Sequence, residues 1–256
     1  MNRLPSEKIR KYFKTRPGVF ASLFWIILGV LAVYAANNIH QREEAQALVL
    51  FGGLLMLIGL IRFIMSVASR LSDSDIDNQF QADLRQIEQH ALDKLGLDKG
   101  ELSEARKEPL TLSGPIVWST TGVNTKDILW KKGKDDIVRF AINRITVIYF
   151  TENLLGAYGC DFNFIKNVML NEATDQYYYQ DIVSVSTKET STSYTLPNGT
   201  KLTQSQQFRL SVTSGEAIEV FIDSGKLSEV TKGKIPTEEA EKAVQVIRTI
   251  LKGKKN

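Results

Sequence analysis

The chain has 256 residues, 43% of them hydrophobic, with 32 Lys and Arg against 29 Asp and Glu. A net charge of +3 is too small to point to nucleic acid, and the single cysteine, Cys160, excludes an internal disulfide and fits a reducing compartment. The length provides for one soluble domain beside whatever two long apolar runs near the start build.

Residues 1–18 form a basic segment with Arg3, Lys8, Arg10, Lys11, Lys14 and Arg16, broken off by Pro17-Gly18. The first apolar run, Val19 to Ala36, holds 18 residues without a charge. At ~1.5 Å per residue it covers roughly 27 Å, close to the ~30 Å hydrocarbon core of a bilayer. The second run spans Ala45 to Ile61 and continues past Arg62. In lipid the backbone must satisfy its own polar groups, so both runs are read as helices of a transmembrane hairpin over 19–71. A cleaved signal peptide is the rival reading, but its apolar region is usually only about 7–15 residues.

Six basic residues precede the first helix and only Arg42 lies in the loop between the two. The positive-inside rule then places both termini in the cytoplasm and the protein in a membrane as an integral component. Ser22, Gly29 and Ala36 recur every seven residues in the first helix; Ala45, Gly52, Gly59 and Ser66 do so in the second. Small residues let helices approach closely in lipid, and a seven-residue step keeps them on one seam. The two seams face each other, or face a second copy, or recur by chance. Arg62 is read as a side chain snorkelling to the headgroups, with an ion pathway as the alternative.

Residues 72–109 form a juxtamembrane segment. Asp73, Asp75 and Asp77 have the spacing of the first ligands of a calcium loop, but Asn78 stands where glycine is needed and Leu84 where glutamate is needed. The acids instead start a helix, with Ser72 or Ser74 as cap. Ile76, Phe80, Leu84, Ile87, Ala91 and Leu95 fall on one face, and Gly96 is the stop. That face would pack on the soluble domain, the bilayer or another copy. His90 reads as a solvated surface histidine.

From 110 to 256 the texture is β-rich. Strand candidates are Ile116–Trp118, Ile128–Trp130, Val138–Thr151, Leu155–Phe164, Asp175–Gln180, Ile182–Lys188, Phe208–Thr213 and Ala217–Ile222. Pro197-Asn198-Gly199 and Ser214-Gly215-Glu216 mark hairpin turns. Thr237 caps a last helix whose apolar face is Ala240, Ala243, Val244, Ile247 and Leu251. Along Tyr177–Tyr179 the side chains alternate, so Tyr178 faces away from the other two.

YYYQDIVSVSTKE, Tyr177 to Glu189, with FRLSVTSGEAIEVFI, Phe208 to Ile222, resembles the corresponding segments of bacterial PH-like and GRAM-like domains. The resemblance covers about Leu110 to Leu251. It implies a curved sheet closed by the terminal helix, binding lipid, peptide or protein beneath a bacterial cytoplasmic membrane. Lys131, Lys132 and Lys134 form a basic cluster that, with Arg62 and Tyr178, could meet a partner or headgroup; lysines in a solvated turn explain the cluster equally well.

No nucleophile elbow, phosphate loop, paired-histidine metal spacing or C-x-x-C occurs, so neither an enzyme nor a cofactor or metal site is expected. Cys160 reads as a packed small residue. Asn198-Gly199-Thr200 matches a glycosylation sequon that a cytoplasmic domain would not expose to modification. The sequence thus describes an α+β protein: a membrane-tethered interaction or scaffold module, with a protein partner or homo-oligomer. The alternative is a subunit of a small channel or transporter with the β domain as regulator, and a membrane-surface enzyme is a third class.

Overall fold

A computed structural model describes residues 3–14, 18–36, 42–68, 71–103, 106–191, 193–203, 205–223, 225–236 and 238–254. The chain divides into two compact units, Glu7–Ser72 and a larger one made of Met1–Ser6 with Asp73–Asn256.

The smaller unit contains most of α1 (Ser6–Phe13), then α2 (Gly18–Ala36) and α3 (Arg42–Ala68). The third helix begins earlier than the apolar run, because Glu43 and Glu44 occupy its first turn, where the helix dipole favours negative charge. α2 and α3 lie side by side and antiparallel, Gly29 against Gly52 and Ile26 against Gly59. Among the described residues one helix, Glu43–Ile64, is long and apolar enough to cross a membrane, whereas the described apolar stretch of α2, Ser22–Ala36, is shorter. The 19 residues of α2 as a whole span roughly 28 Å at ~1.5 Å each.

The larger unit is a β-sandwich with one helix on its outer face and one closing its core. The four-stranded sheet has the order β1-β4-β5-β6: β1 is Leu110–Pro115, β4 Ile142–Phe150, β5 Leu154–Asn163 and β6 Val168–Tyr178. The three-stranded sheet has the order β11-β10-β7, with β7 at Ile182–Thr190, β10 at Ser205–Val212 and β11 at Ala217–Asp223. The strand pairings within both sheets are antiparallel. Small hairpins are inserted in each half: β2 (Trp130–Lys132) with β3 (Val138–Phe140), and β8 (Tyr194–Thr195) with β9 (Lys201–Leu202).

Alternation along the strands builds the core between the sheets. Ile148 and Phe150 of β4, Leu155 and Ala157 of β5, Phe208 and Leu210 of β10, and Val220 and Ile222 of β11 meet there. α6 (Glu238–Lys254) sets Ala243, Val244 and Ile247 into the same cluster, and Arg248 donates to the Val185 carbonyl. α5 (Gly225–Thr231) packs Leu227 with Phe221 and Val138 in a second cluster. Thr237, the expected cap of α6, lies outside the described residues.

α4 (Asp73–Leu95) is a layer of this unit, lying on the face of the four-stranded sheet opposite the core. Phe80 meets Phe162 and Phe164, and the Tyr149 hydroxyl donates to the Glu88 carbonyl. Its predicted apolar face is what it buries: Ile76, Leu84, Ile87, Ala91 and Leu95. Gly96, at φ +65°, ends it. The expected 72–109 segment is therefore split, its helix built into the folded unit because the sheet offers an apolar face that alternation alone leaves uncovered.

Several expected strands shift. The run 138–151 is interrupted at Ala141, whose N–H donates to Leu129 O and whose carbonyl accepts from Phe164 N. Ile116–Trp118 is not a strand; β1 lies just before it and ends Ser-Gly-Pro. Gly114 is required there, since a Cβ would fall 1.9 Å from the Phe221 carbonyl oxygen.

Candidate functional site

The seven-spaced small residues come together within one hairpin. Ser22, Gly29, Ala36, Gly52 and Gly59 are buried, while Ala45 is half-buried. A Cβ on Gly29 would lie 2.6 Å from Gly52 O, and one on Gly52 2.7 Å from Gly29 O, so the backbones touch. Gly59 sits against Ile26 and the Ser22 carbonyl. The Ser66 side chain lies outside the described residues. Around this seam the surface is apolar: Phe24, Ile27, Leu31, Leu50, Phe51, Leu54, Leu57 and Ile64 are all exposed. Among the described residues, only Val168, Tyr178 and Val183 of the exposed large hydrophobic side chains lie off the hairpin. Arg62 is exposed on α3.

The three lysines lie on and beside the β2–β3 hairpin. Lys132 pairs with Asp136 at 2.6 Å, and Lys134 presents its backbone N–H to Asp73 at 2.8 Å. Lys131 is half-buried on β2. Between them, Arg139 is clamped by Asp77 and Asp135, with N–O distances of 2.7 Å to each. That guanidinium, hydrogen-bonded to Asp135, brings its carboxyl down to about 2. Asp73 and Asp77 thus tie α4 to the β2–β3 hairpin. Tyr178 is exposed, Tyr177 packs on the core, and the buried Tyr179 donates its hydroxyl to Thr151 O.

His90 is not a freely solvated surface histidine. Its Nε2 lies 2.8 Å from Glu172 Oε2, and its ring stands edge-on to Tyr158 at 5.7 Å. Tyr158 also donates to Glu172, at 2.9 Å. The bonds from His90 and Tyr158 hold the Glu172 carboxyl below its ordinary pKa. Cys160 is wholly buried, and burial pushes its thiol up to about 12.

One hollow corresponds to no sequence motif. A cleft of about 350 Å³ opens beside β11, between that strand and β4, β5 and β6. Its floor is small, with Ala157, Gly159 and Ala173 on adjacent strands. Above the floor stand Thr146 and Arg144 of β4, on the same side as the core residue Ile148. Thr146 is 3% exposed and its hydroxyl has no partner among the described residues. Gln207 is 6% exposed and donates its amide to Tyr194 Oη at 2.8 Å, leaving its carbonyl oxygen without a donor among the described residues. Asp175 and Glu219 complete the polar lining. Burial, then the nearby Glu216, raises the Asp175 pKa. At one end, Trp118 stacks on Tyr194 at 4.1 Å, and Phe221 lies edge-on to both.

Arg144 adds less positive charge to the cleft than its identity suggests. Its Nε lies 2.7 Å from Oδ1 of the fully buried Asp161. The approach lacks hydrogen-bond alignment, so Oδ1 has no donor, while Oδ2 accepts from Asn171 at 2.6 Å. Asp161 offsets the arginine charge, and Asp175 and Glu219 set the sign of the remaining field; Glu219 is itself paired with Arg209 at 2.9 Å. A second hollow, about 270 Å³ with mainly apolar walls, lies between α4 and β1. No protein-family model matches this chain, and neither curated proteins nor solved structures give a match.

Proposed function

We propose that this chain is a membrane-tethered binding module, with α2 and α3 crossing a cytoplasmic membrane as a hairpin and the β-rich unit serving as its cytoplasmic ligand-binding part. The observation that carries this reading is the inverted surface of the hairpin. Its small residues are buried at the helix contact, while its large apolar residues face outward. Monomeric soluble proteins rarely leave contiguous apolar patches beyond a few hundred Å². Hydrocarbon covers such a surface without loss, and close packing of small residues is how helices associate there.

Topology is supported from the larger unit. The N-terminal segment is stitched to α4: Arg3 donates to both oxygens of the buried Asp83 and to Phe164 O, and the Leu4 N–H donates to Gln79. Residues before and after the hairpin thus belong to one folded unit, which supports an even number of crossings. The basic N-terminal segment puts that side in the cytoplasm. The four-plus-three sheet arrangement with a helix closing the core supports a PH-like module, as the segments Tyr177–Glu189 and Phe208–Ile222 suggest. The glycine seam closes within one chain, so the hairpin does not call on a second copy to bury it.

Liposome flotation tests the anchor. The purified chain should float with phosphatidylcholine vesicles and remain with them in alkaline carbonate; release by carbonate would refute it.

A further inference from the structure

Resting on the reading of the β-rich unit as a binding module, we infer that the cleft beside β11 receives a primary ammonium group carried on an aliphatic chain, the chemistry shared by a lysine side chain and a free alkylamine. The polar lining holds two oxygens with no donor among the described residues. The Thr146 hydroxyl and the Gln207 carbonyl are each on side chains more than nine-tenths buried, and both line the cleft. Their oxygens open into the cleft, so a ligand bearing donors can supply bonds that the surrounding side chains do not. An ammonium carries three donors and no acceptor.

Charge selects the same ligand. Asp161 offsets Arg144 at the inner end, and the remaining carboxylates, Asp175 and Glu219, outnumber the single Arg209 paired with Glu219. A cation relieves the crowding of Asp175 beside Glu216, whereas an anion would add to it. The floor of Ala157, Gly159 and Ala173 leaves length, and the Trp118–Tyr194–Phe221 wall gives methylenes an apolar surface.

The experiment is calorimetric titration of the full chain in detergent with three probes: n-butylammonium chloride, the blocked tripeptide acetyl-Gly-Lys-Gly-amide, and sodium butyrate. The amine probes should bind saturably and the butyrate should not. Asp175→Asn should weaken amine binding about tenfold or more by removing a charge-assisted acceptor, and the near-isosteric Thr146→Val should weaken it severalfold, with melting of both variants confirming that they fold. Binding of both amines, or of butylammonium alone, supports the inference with a free amine as a sufficient source. Binding of the peptide alone supports it with a partner's lysine as the source. The inference is overturned if neither amine binds the folded protein, if butyrate binds as well as the amines, or if both variants bind like the parent. A chain that floats with vesicles but binds no amine refutes this inference alone; one that binds amines but does not float refutes the anchor alone.

Discussion

Gly52 and Gly53 are adjacent on α3 and should respond in opposite ways to the same added methyl. At Gly52 a Cβ falls 2.7 Å from the Gly29 carbonyl oxygen and 2.8 Å from Val33 Cγ2; at Gly53 nothing lies within 4 Å. Comfortable contact begins near ~3.5 Å, so Gly52→Ala must push the helices apart by roughly 0.8 Å, and a gap of that size forfeits about a quarter to a half of each contact across it. The obstruction is backbone, which cannot swing aside. By comparison with overpacked cores the loss should be about 1–3 kcal/mol. Gly53→Ala should be neutral or stabilising by up to about 1 kcal/mol through helix propensity. Thermal unfolding in detergent, followed by circular dichroism, reads both. Gly29→Ala meets the same contact from the other side, 2.6 Å from Gly52 O, so the double variant should lose less than the sum of the singles. Equal melting of the Gly52 and Gly53 variants, or strict additivity of Gly29→Ala and Gly52→Ala, would refute the backbone contact.

Arg3→Ala should destabilise the larger unit by about 2–4 kcal/mol, because it leaves the buried Asp83 carboxylate without its paired cation and with only the Gln79 amide; adding Asp83→Leu should recover part of that loss in the same denaturant titration. A fragment beginning at Leu110 should unfold at lower denaturant than one beginning at Asp73, since it uncovers the face of the sheet that α4 buries. Asp135 and Glu172 both have folded pKa values below their unfolded ones, so the stability they contribute is present above the ordinary carboxylate range. It should be lost as pH falls below about 4, for Asp135 down to about 2, and Glu172→Gln should flatten the corresponding part of the stability–pH curve. Cys160, buried and with its thiol raised to about 12, should resist iodoacetamide at pH 8 until the chain is denatured.

Features governed by local period were legible in the sequence. The apolar stripe of α4, its glycine stop and the hairpin turns at Gly199 and Gly215 follow from spacing and backbone preference, and both glycines take positive φ; the expected alternation over Ile182–Lys188 does not hold, since Ile182 and Val185 are buried while Val183 is exposed. Features that depend on distant partners were not. Ala141 breaks the longest strand run with no glycine or proline to announce it, because its backbone groups pair with Leu129 and Phe164. Ser113-Gly114-Pro115 ends a strand where β11 passes too close for a side chain, an approach no local pattern announces. His90 falls off the apolar face of its helix and finds Glu172, 82 positions away. The cleft is the extreme case: Arg144, Thr146, Asp175, Gln207 and Glu219 come from four strands, β4, β6, β10 and β11, and share no spacing. Only β4 carried a hint, in the polar Arg144 and Thr146 on the side where alternation demands apolar residues.

The central claim, a hairpin that crosses the membrane and returns, is tested most directly by sidedness of single cysteines. The parent chain supplies its own blank, since its one thiol is buried. His40→Cys, between α2 and α3, and Lys252→Cys, exposed near the end of α6, would each be treated with a membrane-impermeant maleimide on intact and on permeabilised cells. His40→Cys should label from outside intact cells and Lys252→Cys only after permeabilisation. Labelling of both positions from the same side would contradict the hairpin, and with it the placement of the β-rich unit in the cytoplasm.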